Sequence, residues 1–165
     1  MRRLVVAGVI ILGLVRLVGA TGVAPDPTGL DRLKSLAGTW EGKDREGKTA
    51  QVRYEVVSNG SAVVETLSVG EMETMVTVYH KDGDQLMLTH YCGAGNQPRM
   101  RADKGAQGGV LRFSFVDATN MPNPDAGHMH KLALTFRDPD HLTQEWTFRD
   151  KGQEHAEVID LARKK

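Results

Sequence analysis

The chain changes its hydrophobic rhythm once, near Gly38. Before it, Leu30, Leu33 and Leu36 recur at helical spacing, which predicts one or two turns of amphipathic helix. After it, apolar and polar residues alternate with a period of two. Alternating stretches such as Gln51 to Val57, Met75 to His80, Leu86 to Cys92, Leu111 to Asp117, Lys131 to Phe136 and Leu142 to Phe148 predict strands. Turn-forming clusters separate them at short intervals, among them Ser58-Asn59-Gly60-Ser61, Lys81-Asp82-Gly83-Asp84 and Arg137-Asp138-Pro139-Asp140. The expected fold is all-β: an up-and-down antiparallel β-barrel of about ten strands with a short N-terminal plugging helix, since closure is what removes exposed edges from a long meander.

A meander sends alternate turns to opposite ends. If the end near Trp40 is the floor, the turns at 58–61, 81–84, 105–109 and 137–140 belong to it. Those near 44–47, 70, 93–96, 120–127 and 150–152 form the mouth. The longest loop, Asn120 to Gly127, lies at the mouth, where function tends to sit. Side-chain alternation assigns the inner face to Leu86, Leu88, His90 and Cys92; to Leu111, Phe113, Phe115 and Asp117; to His128, His130, Leu132, Leu134 and Phe136; and to Leu142, Gln144, Trp146 and Phe148. Met129 and Tyr91 fall on the other face. Three of these inner faces become polar toward the mouth. The residues expected to hold a ligand are therefore His90, Asn96, Arg99, Asp117, Asn120, His128, His130, Gln144 and Trp146.

The first 20 residues stand apart. Arg2 and Arg3 precede an apolar run from Leu4 to Val15, and Val18-Gly19-Ala20 closes it with small residues, the layout of a secretory signal. The run is short for a membrane span, so no stable membrane insertion is expected after cleavage. The expected organisation is residues 1–20 as signal peptide, 21–29 as flexible leader and 30–165 as barrel domain, exported to a periplasmic or extracellular space. The whole chain has 165 residues with 40% hydrophobic and 25% charged, ordinary for one globular domain. Its formal net charge is zero, and no basic stripe argues for nucleic acid. Cys92 is the single cysteine, which excludes an intrachain disulfide.

The segment Leu33-Lys34-Ser35-Leu36-Ala37-Gly38-Thr39-Trp40-Glu41-Gly42 resembles the opening of lipocalin-like proteins of the calycin group. That resemblance implies a helix plugging one end, a Trp filling the floor, a late arginine (here Arg163) stacked on it, and a ligand entering at the opposite end. Stretches from His90-Tyr91-Cys92 to Met100 and from Phe115 to Asn120 look like uncharacterised exported bacterial proteins of this type. Nitrobindin-type haem barrels are also similar in their ten strands and early Gly-Thr-Trp. Their resemblance implies haem carried through His155, although the segment around it matches poorly.

Three functional readings follow. The first is an exported barrel binding a small, partly apolar molecule, with no cofactor required and no catalytic residue. The second is a metal-binding protein or metal-dependent enzyme. His90 with Cys92, and His128 with His130, are i, i+2 pairs whose soft and imidazole donors suit zinc or copper, with Asp117 orienting an imidazole. The third is a packed structural barrel whose rings Phe113, Phe115, Phe136, Phe148 and Trp146 are simply core. Cys92 as a nucleophile would need a lowered pKa that no nearby lysine or helix terminus supplies. Gly93 to Arg99 joins two strands rather than opening a helix, so it reads as a turn and not a phosphate cradle. Arg99 is then either a contact for an anionic ligand group or an ion-pair partner of Asp117 or Glu65.

Overall fold

A computed structural model describes residues 29–104 and 109–165. The expected signal and nearly all of the leader lie outside the described residues. The helix α1 (Leu30–Lys34) is followed by β1 (Gly38–Asp44), β2 (Thr49–Val57), β3 (Ala62–Val69), β4 (Met75–Asp82), β5 (Gln85–Tyr91), β6 (Gln97–Ala102), β7 (Val110–Thr119), β8 (His128–Asp138), β9 (His141–Asp150) and β10 (Gln153–Arg163). These strands form one closed antiparallel barrel in which sequence neighbours pair, and β1 pairs with β10 to close the ring. The alternating pattern dictates this. In β3 the inward Val63, Glu65, Leu67 and Val69 are buried, and the intervening side chains are only partly so.

Closure depends on Gly42. A Cβ there would lie 1.9 Å from the Asp160 carbonyl oxygen, so no larger residue lets β1 approach β10 this closely. The floor is plugged as its sequence predicts. Leu30 and Leu33 of α1 are buried, and the Arg32 guanidinium lies over the Phe136 ring at 4.2 Å. Trp40 is fully buried and donates its indole N–H to the Leu36 carbonyl at 2.8 Å. Arg163 lies over the Trp40 ring at 4.3 Å and donates to the carbonyls of Ala37, Ser35 and Pro139. Gly38 takes φ +127, a conformation that L side chains rarely adopt, and its Cα faces the Arg163 guanidinium. The opposite end carries the turns after β1, β3, β5, β7 and β9, in agreement with the expected parity.

Candidate functional site

A cavity of about 520 Å³ opens at the mouth. Its walls are Leu67, Val69, Met75, Met129, Trp146, Phe148 and Ile159, with Met72 and Cys92 beside them. Asp44, Glu46, Lys48, His155 and Glu157 contribute polar groups. The lining comes from β1, β3, β4 and the turns after β1, β3 and β5 on one side, and from β8 to β10 on the other. Most of the polar positions expected to hold a ligand do not line it.

Two β-bulges explain the difference. In β7, Phe115 pairs with Met100 and Asp117 with Arg99, so Val116 has no opposite residue and bulges outward. The phase flips there. Asp117 faces outward, not into the barrel, and accepts two hydrogen bonds from the half-exposed Arg99 guanidinium. That hydrogen bonding holds its carboxyl below the usual range. Asp117 and Arg99 thus form an exterior ion pair, one of the two readings of Arg99, and this corrects the expected place of Asp117 on the inner face. In β8, Met129 pairs with Phe148 and Lys131 with Thr147, leaving His130 as the extra residue. Met129, expected to face outward, therefore lines the cavity, while His128 and His130 do not.

The two histidines pack against Phe115, His128 at 4.6 Å and His130 at 5.2 Å between ring centroids. Their hydrogen bonds set their tautomers. The Ala126 carbonyl can only accept, so His128 Nδ1 carries a proton and donates to it at 2.8 Å. Because His130 Nε2 accepts from Arg149 at 3.5 Å, its Nδ1 carries the proton and donates to His128 Nε2, 3.2 Å away. Burial, the Arg149 charge and His128 lower the His130 pKa, against the opposing pull of Glu154. This chain ties β8 and β9 to the 120–127 loop. Asn96 donates to the Gly127 carbonyl at 2.8 Å, Asn120 donates to the Gly95 carbonyl at 2.5 Å, and the Lys151 backbone N–H donates to the Asp125 carbonyl at 3.1 Å. Asn96, Asn120, His128 and His130 thus bind mouth loops to one another.

His90 and Gln144 do face inward, but below the cavity. They belong to a belt of buried polar side chains. Tyr54 pairs across strands with Glu65, Glu65 with Thr77, and Thr77 with His90. The Thr77 hydroxyl bonds His90 Nδ1 at 2.9 Å, and Tyr79 donates to Glu65 Oε2 at 2.7 Å. Gln144 donates to the Tyr54 hydroxyl at 2.5 Å and accepts from the Trp146 indole at 3.1 Å. The Trp146 ring returns to His90, with centroids 4.6 Å apart. Burial lowers the His90 pKa to about 4. Burial also pushes the Glu65 carboxyl up, against the opposing pull of its Tyr79 hydrogen bond and of the Tyr54 and Gln144 polar groups near it. His90 is therefore neutral at neutral pH, and burial disfavours the charged form of Glu65 as well. Of the belt, sequence reasoning found His90, Gln144 and Trp146. It missed Tyr54, Thr77 and Tyr79, and it took Glu65 only as a partner for Arg99. The signal was a lone carboxylate on the apolar face Val63, Glu65, Leu67, Val69.

Among the expected ligand residues, Trp146 alone lines the cavity. The expected metal set does not assemble: His90 packs against Trp146, Cys92 lines the cavity wall, and His128 and His130 lie against Phe115. Among the described residues, no three His, Cys, Asp or Glu side chains converge as a metal site. Burial raises the Cys92 thiol pKa, which leaves it a poor nucleophile at neutral pH. His155 stands exposed at the rim of the cavity, paired with Phe148 across β9 and β10.

No family model matches the chain, and no curated protein matches it. Solved structures share its fold. The crystal structure of Rv2717c from M. tuberculosis is 17% identical with a TM-score of 0.57, and the match covers 82% of this chain and 97% of that one. A protein of unknown function from the DUF3598 family of Nostoc punctiforme is 15% identical with a TM-score of 0.54. That match covers 86% of this chain and 53% of the other. At these identities the likeness extends to the barrel and not to its chemistry.

Proposed function

We propose that this protein is an exported barrel that binds a small, mostly apolar molecule through its mouth. The observation that carries the reading is the cavity of about 520 Å³ walled by Leu67, Val69, Met75, Met129, Trp146, Phe148 and Ile159. That volume lies within the range of small-molecule sites, about 300–1,000 Å³, and it argues against a wholly packed structural barrel. Three methionines in the lining give a surface that adapts to ligand shape. The polar groups at Asp44, Glu46, Lys48, His155 and Glu157 leave room for a wet end of the ligand at the opening. The secretory pattern of residues 1–20 supports export.

Native mass spectrometry of untagged protein from its own host tests this reading. The expected result is an organic adduct that leaves on denaturation and is lost in Val69→Trp, which fills the cavity. A bound metal ion or haem in place of an organic ligand would replace the reading. Protein without an adduct, whose Trp146 fluorescence is also unmoved by apolar probes, would end it.

A further inference from the structure

The polar belt interrupts an otherwise apolar interior. Each of Glu65, Thr77, His90 and Gln144 occupies an inward position where its strand neighbours are apolar, and each is at most 2% exposed. Most of the belt's polar atoms are paired within it, but two are not: Glu65 Oε1 and His90 Nε2 are buried with no hydrogen-bond partner in the protein. A buried polar atom left unpaired is costly, and native proteins rarely keep one without a use. Here two occur on strands separated only by β4, in residues linked through Thr77 by successive strand pairing.

The belt lies directly under the cavity. On β3 the next inward residue toward the mouth after Glu65 is Leu67; on β4 Met75 precedes Thr77; on β5 Cys92 follows His90; on β9 Trp146 follows Gln144. All four of these upper residues line the cavity. Two residues along a strand span about 7 Å, so one layer of side chains separates the cavity from the belt. Trp146 belongs to both, since it walls the cavity while its indole bonds Gln144 and its ring packs against His90 at a tilt. Met75, unbranched and adaptable, is the side chain whose displacement would join the two.

We infer that the belt is the inner end of the binding site and receives one uncharged hydrogen-bonding group, a hydroxyl or its equivalent, from a ligand whose apolar body fills the cavity. This inference rests on the ligand-binding reading above and adds the class and orientation of the ligand. A hydroxyl suits both unpaired atoms because it donates and accepts. The Glu65 carboxyl oxygen accepts from a hydroxyl, and a neutral imidazole presents Nε2 as acceptor or as N–H according to the direction of its bond to Thr77. A charged head group does not suit them. The site is desolvated, the neutral forms of Glu65 and His90 are favoured there, and the charges near the opening belong to another layer.

Three probes of matched shape test the inference: naphthalene, 2-naphthol and 2-naphthoate, titrated by Trp146 fluorescence in a Trp40→Phe background at neutral pH. The expected order is 2-naphthol at least tenfold tighter than naphthalene, with 2-naphthoate weakest. Glu65→Leu and His90→Leu should each cut 2-naphthol affinity about tenfold and leave naphthalene unchanged, and Glu65→Gln should retain most of the preference. Equal affinity for naphthalene and 2-naphthol in the unsubstituted belt would overturn the inference and spare the cavity reading. It would mean that the unpaired atoms are met by buried water only. A preference for 2-naphthoate would also overturn it. Binding of none of the three probes would overturn both readings. Because the probe order is measured in an intact belt, a belt variant that fails to fold does not blunt the test.

Discussion

The two ends of this barrel treat polar groups in opposite ways. At the floor, the Trp40 indole and the Arg163 guanidinium are directed to carbonyls of Leu36, Ser35, Ala37 and Pro139, and the ring and the cation cover each other. Toward the mouth, the interior holds a carboxyl and an imidazole that each keep one atom without a partner, beneath a cavity lined with soft apolar side chains. The floor has the character of a structural closure, with packing and pairing complete. The upper half leaves two buried polar atoms unpaired beneath a cavity, at a cost in stability that the floor does not carry.

Substitutions should separate the two ends. The largest effect is expected at the floor: Trp40→Ala should lower unfolding stability by about 3–5 kcal/mol, while protein that remains folded keeps its affinity for an apolar cavity probe. Loss of probe binding in the folded fraction would show that the two ends are not independent. Next comes acid. The folded His90 pKa, about 4, lies below its ordinary value of 6.5, so the unfolded chain takes up the proton first. The His90 contribution is full above pH 6.5 and is lost as pH falls toward 4, about 3 kcal/mol in all. Glu65, whose pKa is raised, works in the other sense. Its contribution is full below its ordinary value of 4.5 and is lost as pH rises through its folded pKa. Denaturant midpoints measured across pH in the parent and in His90→Leu check the first limb, and Glu65→Gln checks the second. An acid limb unchanged in His90→Leu would refute the assignment.

Arg163→Ala comes third, with a cost of about 2 kcal/mol from lost carbonyl bonds and ring contact. It should be visible in urea titrations and absent from probe affinity. Smallest in stability is Val69→Trp, expected within about 1 kcal/mol of the parent because the cavity receives the ring. Its probe affinity should nevertheless drop at least tenfold. A stability loss as large as that of Trp40→Ala would mean the cavity is smaller than its lining suggests.

The architecture was legible because its determinants are local. A period of two and turn residues at short intervals define hairpins one at a time, and counting them gives the parity of every turn. The plug was legible for the same reason, in the run from Leu30 to Trp40. The site was legible only where strand phase runs uninterrupted, as it does for His90, Gln144 and Trp146. Val116 and His130 each add one residue to a strand pair, and nothing in either side chain announces it. A single added residue turned Asp117 outward and Met129 inward. Tyr54, Thr77 and Tyr79 went unnoticed because a hydroxyl on an inner face is compatible with both core and site. The register of the β2–β3 and β3–β4 pairs brings them to Glu65.

The seam between β1 and β10 is unlike the others, which join hairpin neighbours. Trp40 pairs with Arg163 across it, and the Lys164 backbone N–H reaches the Thr39 carbonyl at 2.8 Å. The beginning and end of the barrel are therefore neighbours on the same rim. A circular permutant that links them and opens the chain at the exposed turn between Asp82 and Gln85 would retain every strand partner. Its one long-range ring closure would move to β4 and β5, and the refolding rate would report whether that single step governs how fast the barrel forms.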